Sequence, residues 1–358
     1  MPYQHAFYYW KNNTNQDYIP DDSYDTIVRR MQISNFYVRY MDVDWNEYLK
    51  IPVPSSGLGM KDNDPINLPT AIEFGHTPVI FITNAVFQNI DDVWCKDSLP
   101  IKLKHRIEYI QNELAENFAH RIYENTPDSI RSTQNYILPN GDSIRQAFLA
   151  SIKEIQIDCD WTEGTKYKYF KFIKAFRQLY PNKIFSATIR LYPFKYYKKM
   201  GIPPVDKGVL MCYNIGGVYN INTKNSILDL NEVKKYITHN DYKIPLDIAL
   251  PLFSWFRWFR GNEFKGIIYK KNLNKTDANL DSIGTKRYRL LNDLSIDDNY
   301  LREGDVLIDE QIDSSELLNC ANFLKEKLSD SRKIIFFHWD DKLLKDHDQT
   351  IKKIFDMY

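Results

Sequence analysis

The chain has 358 residues, of which 43% are hydrophobic and 15% aromatic, so it can bury a large core and global disorder is excluded. Lysine plus arginine equals aspartate plus glutamate, 47 against 47, and this balance gives no electrostatic reason to expect nucleic acid or an anionic membrane as the main partner. No apolar run reaches the length of a membrane span, and the four cysteines lack the spacing of a structural zinc site.

Short β-rich runs alternate with longer helical patterns along the chain. The predicted strands are 5–10, 36–43, 78–87, 154–160, 183–191, 208–215, 245–255 and 333–339. The predicted helices are about 22–33, 100–123, 142–152, 165–180, 227–238, 315–329 and 344–356. Eight strands with intervening helices are typical of a (β/α)8 TIM barrel. A doubly wound open sheet is the alternative, but no Gly-rich phosphate loop follows any predicted strand.

The segment from 256 to 332 is too long for one βα unit. Within it, "KGIIYKKNLN" and "YLREGDVLIDEQ" have the pattern of additional strands. We therefore expect one domain over residues 1–358, a (β/α)8 barrel with an inserted subregion at about 256–332, between strands seven and eight.

Polar and aromatic residues stand at the carboxyl ends of the predicted strands, where the functional groups of a barrel gather. In the fourth strand, "EIQIDCD", alternation places Gln156, Asp158 and Asp160 on the face toward the barrel axis. Two carboxyl groups about 6–7 Å apart on one strand face are expected to split their proton affinities, one serving as acid and one as base. The structural alternative is an ion pair with Arg190 or Arg39.

The segment "FSWFRWFRGNEF" (253–264) combines aromatic residues with Arg257 and Arg260. It is consistent with a loop that stacks on sugars and contacts anions, or with the start of an amphipathic helix. The lysines of "YPFKYYKKMG" (192–201) are typical of a solvated helix edge. His76 and His338 fit hydrogen-bonded structural positions better than acid–base roles.

The fourth strand "IQIDCDWTE", followed two strands later by "LMCYN" and then by a tryptophan closing strand eight, resembles the family-18 glycoside hydrolases, the chitinase-like barrels. That family carries D-x-x-D-x-D-x-E on strand four and M-x-Y-D on strand six. Asp158 and Asp160 match the second and third aspartates, Met211 and Tyr213 match the strand-six motif, and Trp339 matches the tryptophan of the last strand.

The resemblance implies acid/base hydrolysis of a carbohydrate, with the motif Glu as general acid and the preceding Asp orienting an N-acetyl group of the substrate. The sequence departs from the motif at three positions. Ile155 replaces the first Asp, Thr162 stands where the Glu is expected with Glu163 displaced by one residue, and Asn214 replaces the last Asp. A one-residue shift on a strand points a side chain to the other face, unless the chain turns beyond the strand end.

We therefore predict a glycoside hydrolase acting on a carbohydrate polymer or oligosaccharide, without a metal or organic cofactor. The predicted catalytic residues are Asp158, Asp160, Glu163 and Tyr213. The predicted substrate-binding residues are Trp10, Asp44, Trp161, Arg190, Asn214, Trp255 and Trp339. The alternative is a catalytically inactive barrel that binds a glycan or a protein partner of the bacterial envelope, which Thr162 favours. A metal-dependent hydrolase built on Asp42, Asp44, Asp158, Asp160 and a histidine is a third possibility.

More evenly along its length, the chain resembles an uncharacterised bacterial family of exported or lipid-anchored barrel proteins, through "YVRYMDVDW", "QIDCDW" and "YLREGD". This resemblance implies an extracytoplasmic location, periplasmic or lipid-anchored. A cytoplasmic location stays open, because "MPYQHAFYYWKN" contains no apolar leader.

Overall fold

The computed structural model describes residues 5–10, 23–58, 75–124, 126, 141–269, 273, 279–296, 299–328, 330–331 and 333–358. Its strands are β1 (His5–Tyr9), β2 (Ile33–Asn46), β3 (Ile51–Gly57), β4 (Thr77–Ile82), β5 (Glu154–Asp158), β6 (Ile184–Arg190), β7 (Lys207–Met211), β8 (Leu246–Pro251), β9 (Trp255–Arg260), β10 (Glu263–Tyr269), β11 (Leu280–Gly284), β12 (Arg287–Leu290), β13 (Leu294–Ile296), β14 (Asn299–Leu301), β15 (Val306–Glu310) and β16 (Ile334–Phe337). Its helices are α1 (Ser23–Arg30), α2 (Asn84–Asn89), α3 (Leu99–Glu124), α4 (Gly141–Ser151), α5 (Lys166–Gln178), α6 (Leu191–Lys195), α7 (Tyr197–Met200), α8 (Leu230–Tyr236), α9 (Ser314–Lys327), α10 (Asp341–Asp346) and α11 (Asp348–Met357), with a π-helical turn at Trp94–Ser98.

Eight parallel strands close into a barrel. The order runs β1, β16, β8, β7, β6, β5, β4, β2, and β2 pairs in parallel with β1 to complete the ring. Helices stand between successive strands and cover the outside, so the fold is the predicted (β/α)8 barrel. No helix within the described ranges is long and apolar enough to cross a membrane.

The strand and helix predictions fail mainly at the ends of elements. The predicted strand 78–87 stops at Ile82, because Thr83 and Asn84 begin a short helix there. Strand β2 continues to Asn46, because it forms an antiparallel hairpin with β3, which the sequence pattern did not predict. The predicted strand 245–255 divides into β8 and β9, since the chain leaves the barrel after Pro251.

Between β8 and β16 the chain forms a second, antiparallel sheet in the order β10, β9, β15, β12, β11. The two predicted additional strands fall in β10 and in β14–β15, and β13 pairs with β14 as a separate hairpin. "FSWFRWFRGNEF" is part of the β9–β10 hairpin, so its interpretation as a helix start is wrong. That this region is an insertion in a single domain stays a prediction.

The barrel interior is unusually polar along β5. The inward side chains are linked in a ladder: the Ser186 hydroxyl donates to Glu154 Oε1 (2.6 Å), and the Tyr8 hydroxyl donates to Gln156 Oε1 (2.7 Å). At the level of Glu154, the Lys207 ammonium pairs with the Glu154 and Asp247 carboxylates at 2.9 and 2.8 Å. Since buried polar groups need such partners, the ladder fixes the inward face of β5.

Candidate active site at the carboxyl ends of the barrel strands

Asp158 is the last residue of β5 and points into the barrel, as alternation predicts. It is 8% exposed, and its Oδ1 accepts a hydrogen bond from the Thr188 hydroxyl of the neighbouring strand β6 (2.5 Å). Burial raises the pKa of the Asp158 carboxyl to about 7, and the nearby Asp160 carboxylate adds to the rise. Asp158 can therefore carry a proton near neutral pH, which an acid catalyst at that pH requires.

Asp160 lies two residues further on, above Asp158 and outside the buried interior. Its side chain is 47% exposed, and its two oxygens lie 3.2 and 3.0 Å from Nη1 of Arg190. The structural alternative of an ion pair with Arg190 is thus realised at Asp160. Across the mouth, Arg39 donates from Nε to the Asp42 carboxylate at 2.6 Å. The two acids of β5 consequently differ in solvation and in charge partner.

An aromatic cluster forms the floor of the mouth beside these acids. Phe337, the last residue of β16, stacks on Tyr213 with 5.0 Å between ring centroids, and Trp10 lies 5.4 Å from it on the other side. Arg39 covers the Trp10 ring at 5.5 Å. Burial, with the Asp158 charge second, raises the pKa of the Tyr213 hydroxyl well above its usual range. Tyr213 therefore stays neutral and can donate a hydrogen bond.

Trp339 does not belong to this floor. Its side chain is fully buried on the helix-facing side of the barrel, where it packs edge-on to Phe7 at 5.1 Å and against Phe36 at 5.4 Å. The strand ends at Phe337, so the alternation that would turn Trp339 inward does not continue. Phe337 occupies the floor instead. Four consecutive apolar residues in "KIIFFHW" carry no polar–apolar alternation, so no local pattern identifies Phe337 as the inward residue.

Trp161 is also removed from the predicted set of stacking residues. It is 3% exposed, its ring packs on Tyr169 of α5 at 5.5 Å, and its indole N–H donates to the Met200 carbonyl (3.2 Å). Trp161 borders a pocket beside Asp160, but its low exposure leaves no open ring face on which a sugar could stack.

Glu163 lies beside the mouth rather than in its centre. Its carboxylate is half-exposed and pairs with the Lys199 ammonium at 2.9 Å. With Asp160, Arg190 and Tyr192, these two residues line a pocket of about 420 Å³. Thr162, at the motif's Glu position, has its hydroxyl 3.2 Å from that of Thr165. The chain has turned here, so Glu163 reaches a cavity adjoining Asp160.

Asn214 and Asp44 occupy different surroundings. Asn214 follows β7 with a φ of 53°, in the left-handed region, and its side-chain oxygen is buried with no hydrogen-bond partner among the described residues. An unpaired buried acceptor at the mouth is a group that a ligand can satisfy.

Asp44 accepts hydrogen bonds from the Thr83 hydroxyl (2.6 Å) and from its neighbour's backbone N–H (2.8 Å). These bonds give Asp44 a structural role in the β2–β3 hairpin.

Trp255 and Arg257 connect the second sheet to the mouth. The indole N–H of Trp255 donates to Glu310 at 2.8 Å, and its ring lies 5.0 Å from Phe253. Arg257 is fully buried and pairs with Glu310 at 2.7 Å, so it cannot contact an external anion as the loop interpretation proposed.

The described residues contain no group of three or more His, Cys, Asp and Glu side chains placed to hold a metal ion. His76 is buried against the Tyr40 hydroxyl at 2.6 Å.

The fold and the site together define a (β/α)8 barrel with a carboxyl pair and an aromatic floor at its open end. Three solved structures illustrate what the chain is similar to. The spore cortex-lytic enzyme SleL of Bacillus cereus is 14% identical with a TM-score of 0.47, covering 98% of this chain and 73% of that one. The catalytic domain of psychrophilic chitinase B from Arthrobacter TAD20 is 9% identical with a TM-score of 0.49, covering 99% and 96%.

A fungal endo-β-N-acetylglucosaminidase of glycosyl hydrolase family 18 is 7% identical with a TM-score of 0.42, covering 99% of this chain and 97% of that one. This is the family that the strand-four and strand-six motifs resemble. No protein-family model matches the sequence, and no curated protein matches it. The barrel assignment itself rests on the strand order and pairing.

Proposed function

We propose that the protein is a glycoside hydrolase that cleaves a carbohydrate polymer or oligosaccharide by acid/base chemistry from the carboxyl pair of β5. One observation carries the proposal: Asp158 is buried with a pKa of about 7, while Asp160 lies above it, half-exposed and paired with Arg190. Glycoside hydrolysis requires two such roles, a protonated acid and either a second carboxylate or a substrate amide.

Asp158 is 8% exposed and the Asp160 side chain is 47% exposed, and this difference indicates their roles. Asp160 is the group that a substrate can touch, and its carboxylate stabilises the positive charge that develops on the sugar. Asp158 is a positioning residue. Because it is protonated, it places no second negative charge beneath the Asp160 carboxylate. Glu163, which lines the adjoining pocket, is the candidate proton donor to the leaving oxygen.

The surrounding residues supply orientation and stacking. Arg190 fixes the Asp160 carboxylate, and the unpaired oxygen of Asn214 can accept a hydrogen bond from a sugar hydroxyl or amide. Tyr213 donates from its neutral hydroxyl. Trp10 and Phe337 provide the apolar surface on which a sugar ring rests. Trp255 borders this floor through Phe253.

The test compares the wild type with two carboxylate-to-amide variants on a panel of N-acetylhexosamine-containing and acidic bacterial glycans, with products followed by mass spectrometry. We expect Asp160→Asn to reduce cleavage at least 100-fold, since it removes the group that contacts the substrate. Asp206→Asn is the matched control, because Asp206 forms a similar ion pair with Arg177 (2.6 Å) near the amino ends of the strands. Equal activity of Asp160→Asn and wild type would refute the assignment.

A catalytically inactive barrel that binds carbohydrate is the second candidate. It is favoured by Thr162, a hydroxyl where the resembled motif has its acid, and by the ion pair that Glu163 forms with Lys199. No cleavage of any glycan, with binding to one of them that is lost on replacing Trp10 or Phe337 by alanine, would support it over the hydrolase. We also propose an extracytoplasmic location, which fractionation of the source cells would test.

A further inference from the structure

The stretch from Gly164 to Val205 contains ten lysine and arginine residues and no aspartate or glutamate. Acidic residues make up 47 of the 358 residues, so about five would fall in a stretch of this length at the chain's average frequency. The overall net charge of zero therefore hides a strong local excess of positive charge. The stretch contains α5, β6, α6 and α7, and its exposed side chains form what we call the basic face.

Helix α5 has one face buried against the barrel and an opposite face exposed to solvent, as its helical period requires. Tyr169, Phe172, Ile173 and Phe176 are buried against the barrel. On the opposite side, Tyr167, Lys171 and Lys174 follow one another at i, i+4 and i+7, which is one stripe of a helix. Tyr167 is 75% exposed and Lys174 is also exposed. The helix has 13 residues and runs about 20 Å, and the stripe covers about 10 Å of that length.

Carboxylates from the rest of the described chain neutralise only part of this charge. Asp92, Asp160, Glu163 and Asp206 form ion pairs with Lys171, Arg190, Lys199 and Arg177 respectively. Other lysines of the face donate to backbone carbonyls, as Lys166 does to Lys199 and Lys195 to Lys235. These carbonyl contacts leave the positive charge in place, so the basic face keeps an excess.

Tyrosines supply most of the apolar surface of the face. Its large exposed apolar side chains are Tyr167, Ile184 of β6, Tyr192 and Tyr196, and the rings of Tyr192 and Tyr196 lie 4.7 Å apart. Exposed leucine, phenylalanine or tryptophan, which membrane-surface helices insert into lipid, does not occur on helices α5–α7. Rings with a polar tip beside ammonium groups suit a hydrated sugar chain bearing negative charges better than a lipid surface.

The basic face is continuous with the proposed active site. Arg190, Tyr192 and Lys199 line the pocket of about 420 Å³ that also contains Asp160 and Glu163. At the other end of α5, Lys174, Arg177 and Lys183 line a second pocket of about 470 Å³. A chain bound at Asp160 therefore meets Arg190 and Lys199 in the first pocket, and further basic residues stand at the far end of α5.

We propose that the basic face binds an anionic polysaccharide, a sugar chain carrying carboxylate or phosphate groups, and that such a chain is the substrate class of the barrel. Lysine and arginine side chains of the face pair with the negative groups, and the exposed tyrosines stack on the sugar rings. The substrate part of this inference rests on the proposed function, whereas the binding part can be tested without it.

The experiment measures binding of the full chain to polygalacturonate, to neutral chitin oligosaccharides and to phosphatidylglycerol vesicles at low and at physiological salt. The test variant is Lys174→Glu/Lys198→Glu, at two exposed lysines of the face. The matched control is Lys342→Glu/Lys352→Glu, at two exposed lysines of α10 and α11, which changes the net charge equally. A second pair compares Tyr196→Ala with Tyr48→Ala, a tyrosine that is 92% exposed elsewhere.

We expect the wild type to bind polygalacturonate, more weakly as salt rises because exposed charges are screened. The face variant should bind at least tenfold more weakly and the control within about twofold of the wild type. Tyr196→Ala should weaken binding several-fold and Tyr48→Ala should not. Equal losses in face variant and control would overturn the inference, as would tighter, face-dependent binding to the vesicles.

The two proposals fail separately. Cleavage of neutral chitin oligosaccharides without binding of polygalacturonate would overturn this inference and leave the hydrolase in place. Face-dependent binding of polygalacturonate, with no cleavage of any glycan, would support the binding surface and refute the hydrolase.

Discussion

Asp158 shows how a single residue links stability to chemistry in this barrel. Its side chain is buried among Thr188, Tyr213 and the aromatic floor, and burial is the main cause of its raised pKa of about 7. The Asp158 carboxyl therefore keeps its proton up to a higher pH in the folded state than in the unfolded state. The folded state therefore binds the extra proton between about pH 4 and pH 7.

The first prediction follows from this linkage. Because the folded state binds more protons in that window, the contribution of Asp158 to the free energy of unfolding should fall as pH rises from 4 to 7, by roughly 4 kcal/mol for a shift of about three pKa units. Asp158→Asn, whose amide keeps an oxygen for the Thr188 hydroxyl, should remove this fall and be the more stable protein at pH 8. Urea unfolding at pH 5 and pH 8 measures both.

Thr188→Val serves as the control, since it removes the hydrogen bond to Asp158 but keeps the carboxyl. It should retain the pH dependence that Asp158→Asn loses. An unchanged pH dependence in Asp158→Asn would show that another group is responsible.

The loop between β7 and α8 (residues 212–229) is held in position by two buried charged side chains, Arg257 and Glu310. The Arg257 guanidinium of β9 donates to the carbonyls of Val218, Asn220 and Thr223 at 3.2, 2.8 and 2.7 Å. Its partner Glu310 accepts from the Ser226 backbone N–H at 3.0 Å. The second sheet thereby fixes the loop that begins with Tyr213 and Asn214 at the mouth.

We call the buried Arg257–Glu310 pair, together with its hydrogen bonds to the 212–229 loop, the clamp. The second prediction concerns this clamp. Arg257→Met should lower the free energy of unfolding by about 3–5 kcal/mol, because it leaves the Glu310 charge buried and unpaired. It should also open the 212–229 loop to limited proteolysis. The double variant Arg257→Met/Glu310→Gln should recover part of the loss, since it removes the unpaired charge.

Lys265→Met is the matched control for the clamp. Lys265 forms an ion pair with Glu263 on the adjoining strand β10, but the Glu263 side chain is 72% exposed. Exposed pairs contribute about 0–1 kcal/mol, so this variant should be close to wild type. A loss as large as that of Arg257→Met would contradict the clamp.

At the scale of the whole molecule, two hydrophobic clusters lie on either side of this clamp. The larger one fills the barrel wall and its helices, and a smaller one, around Phe256, Trp258 and Leu290, lies on the second sheet. Buried polar contacts from Arg257 and Glu310 join the two, which favours the single domain expected from the sequence.

The third prediction tests that single domain. Thermal unfolding followed by calorimetry should give one transition whose calorimetric and van't Hoff enthalpies agree, as cooperative unfolding requires. Arg257→Met should broaden or divide it, because the clamp is lost. Two separate transitions in the wild type would show that the second sheet is an independent unit.

The barrel is predictable from the amino-acid sequence, because the alternation of strands and helices and the inward period of "EIQIDCD" are local properties. The same period predicts the shared face of Asp158 and Asp160. Long-range contacts, in contrast, are the reason that Phe337 and not Trp339 forms the floor, that Trp161 is buried, and that Arg257 is buried. These outcomes depend on where strands end and on which elements pack over them, and such contacts join residues far apart in the chain, which no local pattern encodes.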